Sequence, residues 1–108
     1  MELNFGSDAP VEDPDALKGI AFAAFRTRPS EQPYQGEQCV SMQEALTAYT
    51  VAPQNSVGLS GQRGNLAEGQ DADVVVLSRD ILGDNDPQAV RSTQVLATIV
   101  AGNPAFRA

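Results

Sequence analysis

Gly61-Gln62-Arg63-Gly64-Asn65-Leu66-Ala67-Glu68-Gly69-Gln70-Asp71-Ala72-Asp73-Val74-Val75-Val76-Leu77 decides the fold. Three glycines punctuate its first half, where positive φ and tight reversals are needed. The chain is then delivered into a short apolar run without polar alternation. Val74 to Leu77 therefore predicts a strand buried on both faces or lying in a sandwich core. Asp71 and Asp73 cannot enter a core unpaired, so they mark the solvated rim where that strand begins. Taken alone, the stretch reads as a structural hairpin without chemistry.

Working outward toward the carboxy end, Ser78 to Pro87 is a polar loop and Pro87 to Arg91 is one helical turn. Val95 to Val100 is a further strand. Gly102-Asn103 reads as a two-residue turn that sends Pro104-Ala105-Phe106 back as a hairpin partner. Pro104 cannot donate to a ladder, which places this last strand at an edge.

Toward the amino end, Leu3 and Phe5 alternate with Glu2 and Asn4, a strand signal over Met1 to Phe5 that Gly6 and Pro10 then break. Asp13-Pro14 has the form of a helix start. Leu17, Ile20, Ala21, Ala24 and Phe25 follow as one apolar stripe. Gly19 weakens that helix by about 1 kcal/mol against Ala. Arg26 and Arg28 suit its negative end, and Pro29 stops it. Pro29 to Gln38 is an exposed loop. Cys39 has no positive charge near it in sequence, so a small packed thiol is expected rather than a nucleophile. Ser41-Met42-Gln43-Glu44 is a capping box. Met42, Ala45, Leu46 and Tyr49 form the stripe it opens. Thr50 is expected to cap a second short helix, with Pro53 in its first turn and Gly58 closing it.

Composition narrows the function. The chain has 108 residues, enough for one modest core. Fourteen acidic and seven basic side chains give a net charge of -7. No basic patch suits a phosphate backbone or an anionic membrane surface, so nucleic acid and membrane partners are not expected. No apolar run spans a bilayer, and the start lacks the features of a signal peptide. With one Cys, no internal disulfide can form. A cytoplasmic protein is expected. There is no His. That excludes a self-contained Ser-His-Asp triad, a Cys-His pair and any His-ligated metal centre.

Three segments in order resemble the carboxy-terminal end of a metal-dependent amidohydrolase of the amidohydrolase 3 group. They are Phe5-Gly6-Ser7-Asp8-Ala9-Pro10-Val11 with Asp13-Pro14 and Leu17 to Ile20, then Ser41 to Leu46 with Ala48-Tyr49-Thr50, then Gly64 to Leu77 ending in Val95 to Gly102. The resemblance covers nearly the whole chain. It implies an α+β arrangement of two or three helices followed by a small, mainly antiparallel sheet. Residues 1–60 would be the last strand and closing helices of a (β/α)8 barrel. Residues 61–108 would be the carboxy-terminal share of a composite β-sandwich. It further implies that Asp8 is the catalytic and metal-binding aspartate at the end of the last barrel strand, taking a proton from the attacking water. Pro10, Val11 and Asp13 would shape the substrate-side loop. Without the resemblance, Asp8 reads as a turn residue bonding its own backbone.

The cofactor implied is zinc or another divalent metal in the parent enzyme, with none bound to this chain. A barrel needs about 200 residues or more, and a catalytic zinc wants three protein ligands. The expected function is thus a fragment of an enzyme acting on amide or cyclic amide C–N bonds, inactive by itself. Its partner would be the missing amino-terminal part. The alternative is a free-standing, non-catalytic association domain, forming a homodimer through exposed strand edges. No glycine-rich nucleotide motif supports a flavin or nucleotide enzyme.

Overall fold

The computed structural model describes residues 2–27, 32 and 34–108. Four helices and a three-stranded antiparallel sheet make an α+β fold: α1 (Ala16–Phe25), α2 (Met42–Tyr49), α3 (Val51–Ser56), β1 (Val74–Leu77), α4 (Pro87–Arg91), β2 (Val95–Val100) and β3 (Asn103–Arg107). The helices pack on one another and the strands on one another. No helix among the described residues is long and apolar enough to cross a membrane.

The helical layer follows its stripes. Ile20 and Ala21 of α1, Met42 and Ala45 of α2 and Val90 of α4 form the core. Ala21, Ala45 and Val90 have no exposed surface, so the helices approach closely where their side chains are small. The start of α1 lies two residues beyond the expected one. Asp15, not Asp13, is the cap, accepting from the Leu17 amide at 3.0 Å. Asp13 instead accepts from the Asp15 amide and pairs with Lys18. α1 ends at Phe25, where Arg26 turns left-handed (φ 53°) and donates its amide to Phe22. Arg28 and Pro29, the expected last basic residue and stop, lie outside the described residues.

The capping box of α2 is complete. Ser41 Oγ accepts from the Glu44 amide at 3.1 Å, and Glu44 accepts from the Ser41 amide at 2.8 Å. That second bond holds the Glu44 carboxyl below the usual carboxylate range, with the Ser41 hydroxyl adding to it. A depressed carboxyl stabilises the fold above its unfolded pKa, about 4.3, and stops doing so as pH falls through its folded value. Glu44→Gln keeps a side chain able to close the box and removes the titration. Its urea midpoint should therefore fall less than the parent's on acidification through that window. Ser41→Ala should cost about 1 kcal/mol at neutral pH, read in the same unfolding experiment.

Three further expectations are corrected. The segment 2–7 forms no helix, turn or ladder, and Met1 lies outside the described residues. In place of strand neighbours, helix groups hold it: Asn55 donates to Glu2, Asn4 to Ser56, and the Phe5 amide to the Ala48 carbonyl at 3.0 Å. Cys39 is exposed, not packed. The chain leaves the 3-10 turn Gly36–Gln38 extended, and Val40 takes the place against the core. The hairpin turn is Ala101-Gly102, one residue earlier than expected, with φ 50° and 78°. Two left-handed residues suit the twist of a tight hairpin. The Asp73 carboxylate accepts from the Ala101 amide at 2.8 Å and offsets the cost of that conformation in Ala. β3 with Pro104 is an edge strand, as expected.

The expected burial of β1 is also corrected. Val75 is 55% exposed and Val76 41%. The two valines point to opposite faces, and among the described residues neither face meets a second layer. Phe106, opposite Thr98 on β2, and Val100 are also about half exposed.

Candidate functional site

Asp8 stands where the segment 2–7 turns toward α1. Its carbonyl accepts from the Val11 amide at 2.9 Å, closing a four-residue turn around the cis Ala9–Pro10 bond. Its φ is 51°, a region that Asp and Asn enter more readily than most residues. The side chain is exposed and makes no hydrogen bond among the described residues. The expected turn is therefore present, but the backbone makes it and leaves the carboxylate free.

Among the described residues, no three His, Cys, Asp or Glu side chains gather in a way that could hold an ion. One carboxylate does not make a metal centre, so these residues do not fit a resident metal by themselves. Of the loop residues expected beside Asp8, Pro10 and Val11 lie in the same exposed turn. Asp13 is tied to Lys18 at 2.6 Å. That bond, then the Asp15 amide, holds the Asp13 carboxyl below its ordinary value, and Asp13 raises the Lys18 ammonium. Both groups are exposed, so water screens the pair.

Beside the turn lies a cleft of about 850 Å³. Phe5, Gly6 and Ser7 line it; Asp8 does not. Its far wall is one face of α1, with Tyr49 of α2 and Arg91 of α4. Phe5 and Tyr49 meet edge to face at 5.7 Å. Burial pushes the Tyr49 hydroxyl pKa up. Arg26 lies over the rings of Phe22 and Tyr34, at 5.0 and 5.7 Å, and donates to the Tyr34 carbonyl. Arg91 donates to Thr27 Oγ1 at 3.3 Å.

Sequence reasoning missed this cleft. Tyr49 read as stripe packing and Arg26 as a helix-end charge. The signal that was available is the composition of α1, ALKGIAFAAF, which carries one charge and is apolar all round. A helix of that kind is buried on more than one side.

Comparison with known proteins agrees with these segments. The sequence pattern of the amidohydrolase family matches residues 1–106. YtcJ of Bacillus subtilis (strain 168), named as a candidate amidohydrolase, is 36% identical over 100 residues, covering 90% of this chain. The N-substituted formamide deformylase of Arthrobacter pascens is 28% identical over 102 residues, covering 94%. The chain spans 19% of the length of each of these relatives. No solved structure matches it significantly. A pattern that runs from the amino-terminal segment and its Asp8 turn into the last strand places this chain in the amidohydrolase family.

Proposed function

We propose that these residues are the carboxy-terminal fifth of a metal-dependent amidohydrolase that cleaves the C–N bond of an amide or cyclic amide with water. The family match over residues 1–106 carries the proposal. The name of the Arthrobacter relative, a deformylase of N-substituted formamides, supports the bond class.

Residues 1–60 are then the last barrel strand with its closing helices, and residues 61–108 one share of a composite sandwich. Two features support the division. The segment 2–7 alternates apolar and polar residues as a strand does, yet joins no ladder among the described residues, as a barrel strand separated from its barrel would. The sheet leaves apolar residues open on both faces, as half of a sandwich would. Asp8 is the single reacting group this chain contributes, at the carboxy end of its strand, where barrel enzymes assemble their sites. There it serves as metal ligand and proton acceptor. The remaining ligands, and zinc or another divalent ion, belong to the whole enzyme.

The chain alone is inactive and holds no metal tightly. Titration calorimetry with zinc, beside an amide hydrolysis assay, tests this. Submicromolar binding accompanied by turnover would refute it.

A further inference from the structure

The cleft has an opening that none of the described residues closes. α1 shows it most directly. Leu17, Ile20 and Ala21 on one side are buried. On the other side Asp15, Lys18, Gly19, Phe22, Ala23 and Arg26 recur at helical spacing and line the cleft. The centre of that second stripe is apolar: Gly19, Phe22 and Ala23. Leu3, which also lines the cleft, is 49% exposed. A second hollow of about 270 Å³ shares Leu3 and Phe5, so the segment 2–7 borders unfilled space twice.

The charges at the rim say what kind of surface belongs there. Among the described residues, Lys18, Arg63 and Arg79 each sit against a carboxylate. Arg26, Arg91 and Arg107 do not, although acidic side chains outnumber basic ones two to one. Of these three, Arg26 and Arg91 lie at the end of the cleft near Thr27, which Arg91 touches. The opposite end carries Glu12, Asp13 and Asp15. A filling element must therefore be apolar along its middle and acidic where it meets the two arginines.

We infer that the cleft is the seat of an apolar segment, acidic at one end, from the part of the amidohydrolase polypeptide outside these residues. The inference rests on the proposed function and adds to it the surface by which the segments join. The relatives, about five times longer than the matched region, supply ample chain for it. The acidic end would pair with Arg26 and Arg91, and the apolar stretch would lie along Phe22 and Ala23, since Tyr49 already fills the space over Gly19.

Cysteine labelling tests this with 5,5′-dithiobis(2-nitrobenzoate) as the probe. In a Cys39→Ser background, Ser92→Cys and Ala23→Cys place thiols on the cleft wall. Leu66→Cys, at a position 81% exposed and away from the cleft, serves as control. Each is compared in the 108-residue chain and in the longer polypeptide read in frame with it. Thiol reactivity follows access, so both cleft positions should react about tenfold or more slowly in the longer polypeptide, with Leu66→Cys unchanged. Equal rates at the cleft in both contexts would overturn the inference and leave the family function standing. Slow, concentration-dependent labelling already present in the 108-residue chain would assign the cleft to a second copy and likewise overturn it. If the frame encodes no longer polypeptide, the proposed function falls, and this inference with it.

Discussion

Asp8→Asn in the longer amidohydrolase polypeptide is expected to lower kcat for amide hydrolysis by about 10²–10⁴-fold, the usual worth of a positioned proton acceptor. The same change should leave the 108-residue chain's unfolding midpoint within about 0.5 kcal/mol of the parent, as for other surface substitutions. The structure gives two reasons for the second half. Asp8 is exposed with a carboxylate unbonded among the described residues, so its charge supports no contact. Asn also tolerates the left-handed backbone at φ 51°, where Ala would add a conformational cost and confuse the result. Unchanged kcat would remove Asp8 from the chemistry. A large loss of stability would mean that the turn needs the carboxylate.

Gly19→Ala should destabilise the chain by about 1–3 kcal/mol, although helix propensity alone favours Ala by about 1 kcal/mol. A Cβ on Gly19 would lie 2.0 Å from Tyr49 Oη and 2.9 Å from its Cζ. The ring cannot yield freely, because its other side meets Phe5. Forcing a methyl group into such a contact costs typically 1–3 kcal/mol, and displacing the ring gives up an aromatic pair worth about 0.5–1.5 kcal/mol. Tyr49→Phe removes the closest atom and should recover part of the loss, so the two changes should couple in a double-mutant cycle. Stabilisation by Gly19→Ala would show that helix and ring do not touch as described.

What the sequence discloses here is what neighbours decide. The Ser41 and Glu44 box, the Pro87 helix turn, the stripe of α1 and the edge placement of Pro104 each rest on signals within a few residues. All four are found. The misplaced features depend on distant partners. Gly19 looks like a flaw until Tyr49, 30 positions later in the chain, is seen to occupy the space. Val74 to Leu77 looks like a core strand because its composition suits a second layer, and the described residues contain none. The segment 2–7 has strand character for the same reason. Cys39 was misjudged by one position, since local geometry turned Val40 inward instead. Asp8 becomes a candidate through family resemblance alone, whereas the cleft depends on contacts between segments far apart in the chain.

The most direct measurement compares amide hydrolysis by two purified polypeptides: these 108 residues, and the product of the complete reading frame that contains them. Turnover by the longer product alone, lost with Asp8→Asn, is the expected result. Turnover by the 108 residues unaided would contradict it.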